Sequence, residues 1–254
     1  MILLTNRSVI KVTGDDRAEF LQGLITNDIN KLSEQIALYA AILTAQGKYL
    51  FDFFLYKQND AIYLDVATIR AADLIKKLSI YKLRSKVEIA LAPEFKIYSD
   101  PHKGLVDPRR AELGHRFLTT ENLKQNGDMD EYERLRITLG VPDSADLIPD
   151  KSFIMQNNFE ELNGVDFNKG CYVGQEVVAR TKYKGNVSKK LYRASGEHAL
   201  ESFGTPIIVN GKTIGEMRSS IGNAGLAQCD IEAVEAGGEF ICGQNKIQLT
   251  EILK

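Results

Sequence analysis

The first third of the chain carries one helical and three extended patterns of apolar residues. A capping-box spacing from Asp16 to Glu19 opens a segment whose apolar residues share one helical face, which predicts a short helix. Three apolar runs separated by turn signals follow, at residues 37–43, 49–56 and 61–67. This order predicts an antiparallel β-meander after the helix.

A second helix and a further strand complete this predicted unit. Thr68 is a candidate N-cap for a helix over residues 69–81, with three positions facing inward: Ala72, Ile75 and Leu78. An extended run at residues 87–91 predicts a strand, and the charged, turn-rich region 101–150 is expected to wrap around the unit. The pattern is typical of the α+β class with antiparallel sheets.

The C-terminal quarter has a different pattern, made of short alternating runs punctuated by glycine-containing turns. The runs lie at residues 206–209, 212–217, 225–229, 239–242 and 246–249. Short strands with this spacing predict a small β-barrel or sandwich. We therefore divide the chain into a first region, residues 1–190, and a C-terminal β-barrel, residues 191–254.

Composition and charge bear on the expected partners and location but do not change the predicted fold. A hydrophobic share of 44%, a charged share of 26% and a net charge of −2 give no reason to expect a membrane or nucleic acid as partner. Met1 to Lys11 lacks the features of a signal peptide or an import sequence, so we expect a cytoplasmic location. The three cysteines form no C-x-x-C pair, and any metal or cluster site is expected to be partial or shared.

Candidate chemistry concentrates in residues 163–180, around Cys171. Gly170 and Gly174 flank this cysteine and would allow the backbone to approach a ligand closely. Lys169, two residues before the thiol, would favour its thiolate form. The alternatives are a small buried cysteine, turn glycines and a solvated surface lysine.

The side chains after the cysteine extend this candidate site. Gln175 and Glu176 supply an amide and a carboxylate, which together suggest the lip of a pocket. Glu176 would otherwise be half of a surface ion pair. Cys229 and Cys242 lie inside alternating strand patterns, so we interpret them as buried structural thiols.

The sequence of this segment resembles one family closely. Lys169-Gly170-Cys171-Tyr172-Val173-Gly174-Gln175-Glu176, with Ala179-Arg180, is similar to the K-G-C-Y-x-G-Q-E-x-x-A-R signature of the YgfZ family. Weaker matches occur in the family's order along nearly the whole chain, at residues 20–23, 26–28, 43–48, 52–53, 107–109, 113–114, 136–137 and 140–142. The family comprises folate-binding proteins related to the glycine-cleavage T-protein, including mitochondrial iron–sulfur assembly factors.

The resemblance implies a T-protein-like fold that accommodates tetrahydrofolate, including a form with a polyglutamate tail, and a C-terminal β-barrel. The positions then expected to bind the folate are Gln156, Asn158, Lys169, Gly170, Tyr172, Gly174, Gln175, Glu176 and Arg180. Relatives tend to carry Glu at the position of Gln156, and losing a charged hydrogen-bond partner costs on the order of 1 kcal/mol. Basic residues after Arg180 would lie near the glutamate tail.

Three functions remain open at this point. The first is an accessory factor that uses folate and Cys171, as a functional thiol and transient cluster ligand, to help build or preserve iron–sulfur clusters. Its partners would be assembly proteins and client enzymes, among them cluster-dependent tRNA-modifying enzymes. The second is a folate-dependent aminomethyl or one-carbon transferase with Asp52 as its acid, although an exposed strand residue would explain Asp52 equally. The third is an RNA-binding module, suggested by seven basic residues within 169–193. We favour the first.

Overall fold

The computed structural model describes residues 1–185 and 187–252. The first region contains nine strands, β1 to β9, at Ile2–Leu3, Arg7–Thr13, Leu38–Leu43, Tyr49–Gln58, Ala61–Ala67, Glu88–Leu91, Lys96–Asp100, Leu105–Val106 and His115–Thr119 among these residues. Its helices, α1 to α4, are Arg17–Gln22, Ala71–Lys82, Met129–Thr138 and Gln175–Lys184.

The larger sheet of the first region is antiparallel, in the order β3-β4-β5-β2-β6. Its strands β3, β4 and β5 are buried on both faces over most of their length. Helices α1 and α2 cover one face, where Leu21, Phe53 and Leu74 belong to the same apolar cluster. Tyr39 and Phe54 belong to a second cluster on the other face. Continuous apolar runs follow from covering both faces.

A smaller sheet in the order β1-β7-β9-β8 joins the larger sheet through a buried ion pair between Arg116 and Asp65. Asp65 of β5 accepts hydrogen bonds of 2.6 Å from Arg7 of β2 and from Arg116 of β9. The guanidinium of Arg116 also lies 3.9 Å from the ring centre of Phe54, and that of Arg109 lies 4.7 Å from it. The contacts of Arg116 with Asp65 and Phe54 connect the two sheets where no backbone ladder does.

The C-terminal part is a closed barrel. Its strands β10 to β15 are Lys189–Gly196, Pro206–Val209, Lys212–Ile221, Ala224–Asp230, Phe240–Cys242 and Asn245–Glu251, and α5 is Ile231–Glu235. They close in the order β10-β13-β12-β11-β14-β15. Arg136 of α3 ties the barrel to the first region, because it pairs with Asp146 at 2.9 Å and donates to the Ser219 hydroxyl at 2.9 Å. The predicted α+β class with a C-terminal barrel is confirmed.

The predicted strands and helices are present, but two predicted helix caps are wrong. The side chain of Asp16 makes no cap hydrogen bond and instead accepts from the backbone N–H of Lys86 at 2.7 Å. Thr68 begins a 3-10 turn, so α2 starts two residues later than a Thr68 cap requires. Of the three positions predicted to face inward, Leu78 is buried, Ile75 is half-buried against the same apolar cluster and Ala72 is exposed, while Ala71 and Leu74 are also buried.

Candidate functional site

Cys171 lies at the middle of a short loop that is fastened at both ends to the turn after α1. We call residues 169–173 the cysteine arch and residues 22–27 the supporting turn. At one end, the Lys169 ammonium donates to three backbone carbonyl oxygens of that turn, those of Gln22, Ile25 and Asn27, at 2.7, 2.6 and 2.9 Å. At the other end, the N–H of Val173 donates to the Gly23 oxygen at 3.3 Å.

Lys169 is therefore an interior residue. Its exposure is 7%, and burial lowers the pKa of its ammonium to about 8 although Asp28 and Asp166 act to raise it. The alternative of a solvated surface lysine is wrong, because the ammonium is enclosed by backbone oxygens. All three of its N–H donors are occupied, which leaves none for the predicted contact with folate.

The arch turns its reactive residue outward. Cys171 is exposed, and a side chain at Gly170 would meet no atom within 4 Å. Gly170 is thus not required by packing inside this chain. Gly174 is required: its φ is +85°, and a Cβ there would lie 2.5 Å from the carbonyl oxygen of Thr44 in the β3–β4 turn.

The remaining residues of the signature divide between interior and surface. The ring of Tyr172 is buried, and the Lys169 ammonium nitrogen lies 4.9 Å from the centre of this ring. Burial raises the pKa of the Tyr172 phenol. Gln175 is half-buried at the start of α4, whereas Glu176 and Arg180 are exposed. The signature therefore combines a buried, hydrogen-bonded lysine with an exposed cysteine thiol.

The other two cysteines are sealed inside the barrel. Cys229 and Cys242 have no exposed surface, and burial raises their thiol pKa values to about 12 and about 11. The interpretation of both as buried structural thiols is confirmed. Their thiols stay protonated at neutral pH, unlike a thiol able to bind metal or attack an electrophile.

Asp52 lies in a different environment, with 2% exposure on β4. Its carboxylate accepts three hydroxyl hydrogen bonds, from Tyr39 at 2.9 Å, Tyr49 at 2.6 Å and Ser144 at 2.6 Å. Burial, and then the Asp52 charge, raises the pKa of both phenols. The alternative of an exposed strand residue is wrong, because a second layer covers this face of the sheet.

The segment before the arch contains two unsatisfied amides. Gln156 is half-buried in a 3-10 turn, and Asn157 and Asn158 are buried after it. Among the described residues, the side-chain oxygen of Asn157 and the side-chain nitrogen of Asn158 find no hydrogen-bond partner. Buried amide atoms without partners are candidates for hydrogen bonds to a ligand or to water.

A groove of about 550 Å³ opens beside the Asp52 cluster. Tyr39 lines it together with Asn27 and Asn163, and two cations stand along it, Lys31 and Arg110. The lining includes none of the residues predicted to bind folate. The cations predicted for the glutamate tail, those after Arg180, lie instead on and after α4.

Asn27 links the Asp52 cluster to the cysteine arch. Its side-chain amide donates to the Tyr39 carbonyl at 2.8 Å, while its own carbonyl accepts from Lys169. Sequence reasoning missed Tyr39, Tyr49 and Ser144. Tyr39 and Tyr49 stand within apolar runs where they look like packing residues, and Ser144 reaches Asp52 across 92 residues.

Comparison with known proteins gives three kinds of finding: a family model, curated relatives and a solved structure. The family model of the CAF17 C-terminal beta-barrel domain matches residues 189–252. The human mitochondrial iron–sulfur cluster assembly factor IBA57 is 31% identical over 268 residues, covering 88% of this chain and 75% of the human protein. The mouse protein of the same name is 30% identical over 278 residues, covering 91% and 78%.

The third finding concerns the fold. The crystal structure of the glycine cleavage system aminomethyltransferase T from Bartonella henselae matches with a TM-score of 0.73 at 13% identity, covering 98% of this chain and 84% of that one. Fold and barrel thus define a protein of the T-protein architecture with a CAF17-type barrel. The chain belongs to the IBA57 family of iron–sulfur cluster assembly factors, and the broader YgfZ resemblance is consistent with this placement.

The same relatives correct one prediction. The expected cytoplasmic location is wrong, because the human, mouse, Neurospora crassa and Pyricularia oryzae relatives are all named as mitochondrial proteins. Residues 1–185 and 187–252 contain no helix both long and apolar enough to cross a membrane. Within that part of the chain, no three His, Cys, Asp or Glu side chains are grouped to hold a metal ion.

Proposed function

We propose that this protein is an accessory factor that supports iron–sulfur cluster assembly in client enzymes, with Cys171 as its working thiol. The observation that carries the proposal is the contrast among the three cysteines. One is exposed on a loop anchored at both ends, and two are sealed in the barrel with raised thiol pKa values. The family placement supplies the context, and an effect on tRNA modification would follow through cluster-dependent client enzymes.

Cys171 would act as one ligand of a cluster that is the cargo rather than a resident cofactor. An iron–sulfur cluster is typically held by four protein ligands. No grouped metal ligands accompany Cys171 in the described residues, so an assembly protein or client must supply the others. An exposed thiol on a short fixed loop suits such sharing, because the partner can approach it directly.

A replacement series tests this role. Cys171→Ala should leave thermal stability nearly intact and remove support for cluster-dependent enzymes in cells that lack the native protein. Cys242→Ala is the matched control: it should cost about 1 kcal/mol of stability through lost contacts and leave the support in place. Full support from Cys171→Ala would show that the thiol assignment is wrong.

We further propose that tetrahydrofolate binds in the first region, with the amides of Gln156, Asn157 and Asn158 holding the polar edge of its pterin. The two unpartnered amide atoms support this choice, since a pterin edge offers both donors and acceptors. Folate supplies a one-carbon carrier when bound, and this chain's residues supply recognition.

Calorimetry with tetrahydrofolate tests the folate site. Asn158→Ala should weaken binding by roughly tenfold, because a hydrogen bond is lost, whereas Gln156→Glu should strengthen it or leave it unchanged. Exposed Lys76 of α2 provides a control, Lys76→Met. Absence of binding at millimolar ligand would refute the site, and clear weakening by Gln156→Glu would refute the assignment of that position.

The transferase alternative is less well supported. An acid that assists transfer must reach the folate nitrogens, but Asp52 is enclosed by three hydroxyl groups. The RNA alternative rests on the exposed cations of α4 and the strand after it. Salt-sensitive retention of tRNA by the purified protein would favour RNA binding over the accessory-factor and transferase functions.

A further inference from the structure

Lys169 has an unusual set of partners for a buried lysine. Within the described residues it forms no ion pair, and its three hydrogen bonds all go to uncharged backbone oxygens. The neighbouring carboxylate of Asp166 is engaged elsewhere, with Lys31 at 2.6 Å. Burying an ammonium group is expensive, so a buried lysine needs compensation, which the three carbonyl oxygens provide.

The supporting turn is itself firmly held. Thr26 donates its N–H to the Ala41 oxygen at 2.9 Å and accepts the Ala41 N–H on its hydroxyl oxygen at 2.8 Å. Asn27 adds the bond to Tyr39 on the same strand. The carbonyl oxygens that receive Lys169 are therefore fixed to the edge of the larger sheet, and Lys169 transfers that rigidity to the arch.

Between its two attachments the arch is also held at Tyr172, whose ring is buried in the same apolar cluster as Tyr39. Gly170 has no atom near its outer side and Cys171 is exposed, so on the N-terminal side of the thiol the Lys169 ammonium carries the positioning. Lys169 lies two residues before the thiol and Val173 two residues after it. Loss of the first attachment would release the thiol from a defined position without removing it from the surface.

We infer that Lys169 is a positioning residue: its ammonium, seated on three carbonyl oxygens of residues 22–27, holds the arch that presents Cys171 to its partner. This inference rests on the proposed function of Cys171. It replaces electrostatic activation of the thiol as the role of Lys169. The two roles predict different behaviour when the lysine is removed.

Hydrogen exchange of the Val173 amide, whose N–H donates to the Gly23 oxygen, measures the attachment of the arch without any activity assay. Lys169→Met should speed this exchange by about tenfold or more, as expected for a local opening, while Lys76→Met leaves it unchanged. Cys171 should be alkylated by iodoacetamide at least as fast in Lys169→Met as in the native protein. Slower alkylation with unchanged exchange would overturn positioning in favour of electrostatic activation.

Chemical rescue tests directly whether the three carbonyl oxygens of residues 22–27 hold an ammonium group. Lys169→Ala leaves three converging oxygens without a cation, and ethylammonium can refill the space with an N–H donor for each oxygen. Ethylammonium should restore slow exchange of the Val173 amide, and tetramethylammonium at equal ionic strength should not. Rescue by both salts, or by neither, would contradict a seat that recognises an ammonium through hydrogen bonds.

A second substitution protects the test against misfolding. Lys169→Arg keeps the charge and several N–H donors, so it should retain more protection of the Val173 amide than Lys169→Met. Equal protection in the two variants would overturn the inference.

Cys171→Ala separates this inference from the proposed function. With Lys169 intact, its arch should exchange as slowly as in the native protein while cluster support is lost. Retained cluster support in Cys171→Ala would sink the proposed function, and the exchange results on Lys169 would still decide the inference.

Discussion

Neutralising the two buried aspartates of the larger sheet should have unequal effects, because their partners differ in charge. Asp65 has no exposed surface and receives two guanidinium groups at 2.6 Å. Asp52 receives only hydroxyl groups. Asp65→Asn leaves two buried cations short of an anion, whereas a hydroxyl beside Asp52→Asn can rotate and accept a bond from the new amide.

Breaking a buried ion pair by removing one partner costs about 3–5 kcal/mol. We expect a loss of this size for Asp65→Asn. For a chain of this length that lowers Tm by roughly 6–20 °C. Asp52→Asn loses one hydrogen bond to a charged group, which is worth about 1.5–3 kcal/mol.

Thermal and urea unfolding of the two variants, side by side, provide the measurement. Because we assign Asp52 a structural role, folded Asp52→Asn should still support cluster enzymes in cells. The reasoning is refuted if Asp52→Asn is as destabilising as Asp65→Asn. Loss of cluster support with unchanged stability would instead favour Asp52 as a reacting group.

Three further outcomes follow from the structure. Alkylation of the native protein near pH 8 should modify Cys171 first. The thiols of Cys229 and Cys242 are buried, and their raised pKa values, about 12 and about 11, keep them protonated at this pH. Peptide mass spectrometry measures the order of modification, and early modification of Cys229 would contradict the prediction. Gly174→Ala should lower the free energy of unfolding by about 1–3 kcal/mol, because residue 174 has a positive φ and the Thr44 oxygen lies close to it. Gly170→Ala is the neutral control in the same melting assay. Equal Tm values for the two variants would contradict the prediction. In acid, stability should be full above about pH 4 and fall below it. Burial acts to raise the pKa of Asp143, but the charge of Arg7 outweighs burial and holds this pKa below its usual range. As the pH falls, the unfolded chain therefore binds a proton at this carboxylate before the folded protein does, which favours unfolding. Urea midpoints that stay constant between pH 5 and pH 2.5 would contradict this.

The sequence by itself determined the elements whose signal is local. The strands β3 to β5 and the barrel strands appear as apolar runs between turn residues, and each is formed where its run lies. The two barrel cysteines were identifiable as interior because alternation assigns a residue to one face of a strand. The K-G-C-Y segment identified the arch, because such a run of glycines and reactive residues is unlike packing sequence.

Only the tertiary structure decided which charged groups are inside. Alternation places Asp52 on the face opposite Phe51 and Phe53, but it does not reveal that another layer covers that face. The partners of Lys169 are backbone oxygens more than 140 positions away, and a carbonyl oxygen carries no residue identity for a sequence to display. Burial and long-range backbone contacts depend on how layers pack, so they arise only once the chain has folded.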